Sequence, residues 1–318
     1  MRLGSELMVP FFSIIIPLYN KKHYIGNTLD HVLAQTFINF EVIVVNDGST
    51  DGSGLVVTSR SDDRIRYYEQ EKQGVASARN TAIGHVRSQY IALLDADDLW
   101  HHTYLERMQQ LIQSYPEQQV FTAAVLLEMS SKSIPSMYSI RNLKANDVRV
   151  VDYFESSSIN SLLTSSSTVV HHGVFKKIGT YNPLYKSRED TDLWIRIGLE
   201  YKVVFLNQLL ITYRYHSQSL SRLKHNFSDQ PSLDSYLPYE TTHPTLKKFL
   251  DINRFSMAIL AKLDHDHKKF EAFKAAIDYT NLNKKQSFLL HQPPLMIKFL
   301  HRFKSFVQHL GFRLSAYG

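Results

Sequence analysis

The chain contains no cysteine, which excludes disulfides, thiolate metal ligands and cysteine nucleophiles. It contains no run of 18 or more apolar residues, so no transmembrane helix is expected. Met1 to Pro10 carries Glu6 and lacks a basic stretch followed by an apolar run, so no signal peptide is expected either. Neither G-x-G-x-x-G nor G-x-x-x-x-G-K-[ST] occurs, and the dinucleotide and P-loop readings lose their support. Acid is missing from the C-terminal stretch: Tyr279 to Gly318 holds six basic residues (Lys284, Lys285, Lys298, Arg302, Lys304, Arg313) and no Asp or Glu. Met1 to Asp278 holds 30 basic and 30 acidic residues, so the formal charge of +6 belongs to the tail. A neutral main part without a basic stripe argues against a nucleic-acid partner.

What is present is an ordinary globular composition, 43% hydrophobic and 21% charged over 318 residues. That length suits two domains, or one large domain with an appendage. Short apolar runs rich in β-branched residues alternate with helical patterns. Strands are predicted at Phe12–Pro17, Glu41–Asn46, Ile65–Glu69 and Tyr90–Asp95. Helices are predicted at His23–Gln35, Val75–Val86 and His102–Gln113. Ser130–Ser161 is polar and weakly patterned, and reads as a long connection or lid. Strands at Ser167–His171, Val203–Leu206 and Leu210–Tyr215 and a helix at Thr191–Glu200 follow. Beyond about Arg222 the pattern is helical. Such alternation implies a parallel sheet covered on both faces, with ligands at the strands' C-terminal edge.

Five polar clusters carry chemistry. Asp47-Gly48-Ser49 follows a buried strand, where Asp47 suits a base or ribose; a plain tight turn uses the same residues. Gly74 opens a helix whose N-terminus suits a diphosphate, with Arg79 in reach to add a charged hydrogen bond. An ordinary surface arginine is the alternative. Asp95-Ala96-Asp97-Asp98 puts three carboxylates at the end of one strand. Like charges there need a cation, and a hard divalent ion with oxygen ligands fits. Helix capping by Asp98 would explain only one of the three. Glu189-Asp190 offers a general base, although Ser187 and Asp190 also have capping-box spacing. His216 follows an apolar strand and suits a metal or a phosphate.

Taken in order, these pieces resemble the inverting family 2 glycosyltransferases with the GT-A fold. The matching residues are Ile16-Pro17-Leu18-Tyr19-Asn20, Val45-Asn46-Asp47-Gly48-Ser49-Thr50-Asp51, Gly74 with Ala78-Arg79-Asn80, Leu94-Asp95-Ala96-Asp97-Asp98, Glu189-Asp190 and Tyr213-Arg214-Tyr215-His216. They span about Phe11 to Ser221. The resemblance implies an α/β, Rossmann-like, mostly parallel sheet with helices on both faces. It implies a catalytic domain over 1–222, with a nucleotide-sugar half at about 11–129 and an acceptor half at about 162–222. The helical region 223–318 lies outside it.

The resemblance also implies roles. Pro17, Tyr19 and Asp47 would hold the base, with Asn20 and Gly74 in the same nucleotide-sugar site. Arg79 would lie near base and diphosphate, and Asp95 at the ribose. Asp97 would ligate Mn²⁺ or Mg²⁺, with His216 at the metal or diphosphate. Asp190 would be the catalytic base beside Glu189. The implied activity is inverting transfer of a sugar, a hexose, from a UDP-sugar to an acceptor hydroxyl, on a glycan or lipid-linked glycan. Bacterial cell-surface polysaccharide or lipopolysaccharide synthesis is the implied setting. Processive members carry Q-x-x-R-W, whereas Gln218 here precedes Ser219-Leu220-Ser221-Arg222, so a non-processive enzyme is expected. A nucleotide-sugar-binding protein without catalysis is the rival reading; it needs Asp47 and the D-x-D, but not Asp190.

In the tail, Leu295, Met296, Phe299, Leu300, Phe303, Phe306, Val307 and Leu310 recur at helical spacing among basic residues. This pattern predicts a basic amphipathic helix on an anionic membrane surface, or one packed on the domain. A cytoplasmic protein, peripheral on the inner face of the membrane, is the matching expectation.

Overall fold

The computed structural model describes residues 9–129, 132–215 and 233–300. The chain forms two compact units, one of Met1–Tyr153 with Ser161–Pro231 and one of Phe154–Asn160 with Ser232–Gly318.

The first unit is built on one mixed sheet. In chain order its elements are β1 (Phe12–Leu18), α1 (Ile25–Leu33), β2 (Phe40–Asp47), α2 (Ser53–Thr58), β3 (Ile65–Gln70), α3 (Val75–Gly84), β4 (Tyr90–Leu93) and β5 (Leu99–Trp100). Then come α4 (Tyr104–Ser114), β6 (Val120–Met129), β7 (Lys132–Pro135), β8 (Val148–Val151), α5 (Tyr153–Ser156), of which all but Tyr153 belongs to the second unit, β9 (Thr168–His171), α6 (His172–Ile178), α7 (Glu189–Glu200) and β10 (Val203–Arg214). The strand order is β3-β2-β1-β4-β9-β6-β10-β5, with β7 on β6 and β8 on β10. All residues of β1 and β2 are buried. Burial on both faces is why these segments read as continuous apolar runs rather than alternating ones.

β1 pairs in parallel with both β2 and β4, so the chain's progress across the sheet reverses at β1. The crevice at the C-terminal ends of β1 and β4 is therefore the topological switch point, where open α/β sheets take ligands.

The second half of the sheet departs from a purely parallel pattern. β9 runs antiparallel to both β4 and β6. The expected long connection at Ser130–Ser161 contains two strands instead, β7 paired with β6 and β8 paired with β10. Its polar sequence fits short edge pairings with exposed side chains. The two strands expected at Val203–Leu206 and Leu210–Tyr215 are one strand, β10. Its register on β6 shifts between Leu206 and Ile211, where Asn207 and Gln208 break the apolar run.

The described part of the second unit is helical: α8 (Leu237–Glu240), α9 (Pro244–Leu263), α10 (His267–Ala275) and α11 (Lys284–His291). Pro244 at its first turn starts α9, where a missing N–H costs nothing. Asp251 on α9 is fully buried and accepts from Lys247 Nζ (2.6 Å), Arg254 Nη1 (3.0 Å), Asn281 Nδ2 (2.8 Å) and the Asp278 N–H (3.2 Å). Every one of these is a structural bond within the unit. Asn283 and Gln286 form a capping box at the start of α11. Residues 294–300 are helical, with Leu295, Met296 and Phe299 exposed and Ile297 buried. The tail residues Phe303, Phe306, Val307 and Leu310 lie outside the described residues, as does His216.

Candidate functional site

Three loops at the switch point hold one another. The turn after β1 and the loop after β2 are interlocked: Asn20 N–H donates to Ser49 Oγ (3.0 Å), and Thr50 N–H donates to Asn20 Oδ1 (2.9 Å). Lys21 N–H donates to Ser53 Oγ (2.8 Å), and Lys22 N–H to Asp51 Oδ2 (2.9 Å). Asn20 adopts φ 49°, a left-handed conformation that Asn tolerates better than most residues. Pro17 is buried in β1, and Tyr19 is half-buried, its hydroxyl accepting from Lys72 Nζ at 2.7 Å.

Asp47 ends β2 and is almost wholly buried. Its Oδ1 accepts from Gln70 Nε2 (2.7 Å) and the Gln73 N–H (2.8 Å), and its Oδ2 from the Gly74 N–H (2.8 Å). Asp47 thus shapes the loop that enters α3. Gly74 there has φ 98°, which only glycine adopts readily, and a Cβ at this position would meet nothing within 4 Å. The space beside the Gly74 Cα is thus not filled by another part of the protein.

Arg79 is not a surface arginine. It is 4% exposed and forks between Asp95 Oδ1 and Glu189 Oε1, each at 2.7 Å, with its guanidinium 5.1 Å from the Tyr181 ring centre. Burial works against its charge, but Asp95, Tyr181 and Glu189 more than offset this and hold it firmly protonated. One side chain therefore joins the end of β4 to the start of α7.

The three carboxylates after β4 do not converge on one point. Asp95 turns to Arg79; burial raises its pKa although Arg79 pulls it down. Asp98 is 1% exposed and accepts from Ser166 Oγ (2.5 Å) and the Arg214 N–H (3.1 Å). Burial, then repulsion from Asp95 and Asp97, pushes its pKa well up. Asp98 caps no helix, since α4 starts after Thr103. Asp97 pairs with the Lys21 ammonium. The like charges expected to demand a metal thus have three separate protein partners. Among the described residues no three His, Asp or Glu side chains are placed together to hold a metal ion.

Ser166, which carried no sequence signal, links these groups. Besides Asp98, its Oγ accepts from the Asp95 N–H (3.1 Å), and its carbonyl accepts from Trp100 Nε1 (2.7 Å). Lys21 was also missed; its adjacency to the Tyr19-Asn20 turn was the available signal.

The capping-box reading of Ser187 and Asp190 fails. The N-cap of α7 is Arg188, at φ 57° and without a side-chain cap bond, and Ser187 Oγ is buried with no partner among the described residues. Asp190 lies one residue inside the helix, its Oδ1 accepting from the Thr191 N–H at 2.7 Å. Burial, then the neighbouring Glu189, lifts its pKa from 3.8 to about 6, against the pull of Arg79.

Glycosyl transferase family 2 matches residues 13–177. Glycosyltransferase GlyA of Streptococcus pneumoniae is 32% identical over 227 residues, 66% of this chain and 31% of that protein. An uncharacterised glycosyltransferase of Rickettsia typhi is 31% identical over 207 residues, 65% of this chain and 64% of its own length. The chain thus spans less than two thirds of either relative. Among solved structures, S. aureus TarS 1-349 in complex with UDP-GlcNAc superposes with a TM-score of 0.61 at 18% identity, covering 85% of this chain and 91% of that one. With more than half its residues inside the family match, and with the sheet and switch point of that fold, this protein belongs to glycosyl transferase family 2.

Proposed function

We propose that the chain transfers a hexose from a UDP-sugar to an acceptor hydroxyl on a glycan or lipid-linked glycan, with inversion and one sugar per encounter. The observation that carries this reading is the double ion pair of Arg79. It ties Asp95, which opens the D-x-D, to Glu189, next to Asp190, and this supports a donor edge and a basic carboxylate sharing one site.

A sugar hydroxyl is a poor nucleophile at neutral pH and needs a carboxylate to take its proton. Asp190 suits this task, because a base with a pKa of about 6 is ionised at pH 7 yet still binds a proton usefully. A single base and direct displacement give inversion. Glu189, committed to Arg79, orients the start of α7. Pro17, Tyr19, Asn20 and Asp47, held by the interlocked loops after β1 and β2, form the walls of the base site. Asp47 acts there through the Gly74 loop that it holds.

The leaving nucleoside diphosphate gains charge as the anomeric bond breaks. A hard divalent ion such as Mg²⁺ or Mn²⁺ would call for carboxylate oxygen donors here. Asp97, a hard oxygen donor at the sheet edge, fits that demand, and His216 is the further candidate. The ion would supply stabilisation of the leaving group's charge. The setting proposed is bacterial cell-surface polysaccharide or lipopolysaccharide synthesis on the cytoplasmic face of the membrane. Leu295, Met296 and Phe299 are exposed beside Lys298, and no described helix is long and apolar enough to cross a bilayer. The structure of TarS with UDP-GlcNAc supports the choice of a uridine donor.

A panel of nucleotide sugars, read by release of the nucleoside diphosphate with and without EDTA, tests this reading. One UDP-sugar is expected to turn over, with activity lost in EDTA and restored by Mn²⁺ or Mg²⁺. Tight binding without turnover of any donor would favour a binding protein and reject the transferase.

A further inference from the structure

Lys21 and Asp97 face each other across the crevice between β1 and β4. Their ion pair is largely shielded, the side chains being 20% and 16% exposed. The turn carrying Lys21 is fixed by the Lys21 N–H bond to Ser53 and by the Lys22–Asp51 bond, so the ammonium is delivered to Asp97 by a braced loop. From the other side, Arg214 Nε donates to the Asp97 carbonyl at 2.6 Å. Arg214 Nη2 is buried and meets no hydrogen-bond partner among the described residues. Both cations lie over the Tyr24 ring, at 5.7 Å for Lys21 and 5.5 Å for Arg214. Two cations thus flank Asp97, Lys21 at its carboxylate and Arg214 at its main-chain carbonyl, and one buried Arg214 N–H still lacks an acceptor among the described residues. Such an arrangement is completed by an anion, since a buried donor left unpaired is costly.

We propose that Lys21 is an internal counter-ion that keeps a divalent metal off Asp97 until a diphosphate arrives. Lys21 then exchanges the carboxylate for phosphate oxygens, beside Arg214, and Asp97 becomes open to the metal. Metal and diphosphate enter as a pair, each raising the other's affinity by the same factor, as linkage requires. Free metal alone is taken poorly. This inference rests on the nucleotide-sugar reading above, and it adds an order of assembly that the reading itself does not contain.

Two affinities of the full chain test it: Mn²⁺ without nucleotide, read from the electron-paramagnetic signal of free Mn²⁺, and inorganic pyrophosphate in EDTA, read by calorimetry. Lys21→Met is expected to bind Mn²⁺ about tenfold more tightly and pyrophosphate about tenfold more weakly, the scale of one charge-assisted hydrogen bond. Adding Asp97→Asn to Lys21→Met abolishes the gain in Mn²⁺ affinity. Lys21→Gln behaves as Lys21→Met does, and unchanged melting temperatures of both establish that the fold is intact. Lys22→Met, exposed and one residue along, controls for the general field and should change either affinity by less than about twofold. Arg214→Lys keeps the charge but loses the fork, and weakens pyrophosphate alone. The proposal is overturned if Lys21→Met leaves Mn²⁺ affinity unchanged or if Lys22→Met gives the same gain. It is equally overturned if pyrophosphate fails to bind the unmodified chain, or binds it and Lys21→Met alike. Failure of every nucleotide sugar to turn over would instead reject the transferase reading and leave these two affinities standing.

Discussion

Replacing Asp190 by Asn should make the protein both more stable and inactive. The folded-state pKa of Asp190 is lifted from 3.8 to about 6 by burial and by Glu189. A lift of about two units is about 3 kcal/mol of preference for the neutral form. An acid whose pKa is raised holds its proton more tightly when folded. Its contribution therefore falls as pH rises from about 4 through about 6, and is constant above that. Asn is neutral throughout and its amide oxygen can keep the Thr191 N–H bond. The variant should thus match the unmodified chain at pH 4 and exceed its stability at pH 8, by up to about 3 kcal/mol. At pH 8 its kcat should be lower by about 10² or more, because nothing accepts the hydroxyl proton. Denaturant midpoints at both pH values, with transfer rates at pH 8, give the comparison. Glu189→Gln separates the two acids: it loses the Arg79 ion pair and stability, while part of the transfer survives. Near-normal transfer by Asp190→Asn would refute the assignment. So would a variant that is less stable at pH 8 and inactive only because it unfolds.

Arg79→Met would leave Glu189 and Asp95 without their cation, at about 3–5 kcal/mol, and the melting temperature should fall on the order of 10 °C. Ser166→Ala should cost about 1–3 kcal/mol in a denaturant titration, because Asp98 and the Asp95 N–H each lose a buried partner. The exposed Leu295, Met296 and Phe299 beside Lys298 should bring the protein down with anionic vesicles at low salt. The bound fraction should drop sharply at about 1 M salt, where the screening length is roughly 3 Å; binding indifferent to salt would sink the surface-helix idea.

Sequence exposed the parts of this fold whose pattern is local. β1 and β2 are buried on both faces, so their runs of Ile and Val announce themselves, and the polar residues that follow mark the ligand edge. β6 was not legible: Val-Phe-Thr-Ala-Ala-Val-Leu-Leu-Glu-Met mixes strong helix formers with β-branched residues. Its strand state is imposed by pairing with β9 and β10, far away in sequence. The same holds in the site. Asp47, Asp97 and Asp190 stand in motifs, but Lys21 finds Asp97 across 76 positions and Ser166 finds Asp98 across 68. Spacing also misled at α7, where Ser187 has the right offset for a cap but the helix begins after Arg188.

The strand order has a consequence for synthesis. β4 is an interior strand in the finished sheet, flanked by β1 and β9. A chain emerging from the ribosome N-terminus first has β4 long before β9 exists, so for that interval β4 presents an open hydrogen-bonding edge. Arg79 waits longer still, since Glu189 follows it by 110 residues. At about 5–20 residues per second the interval is roughly 5–20 s. For the first part of that time the nascent domain carries an apolar edge, and throughout it a guanidinium with one of its two partners, the condition under which a ribosome-bound chaperone would matter most to this protein.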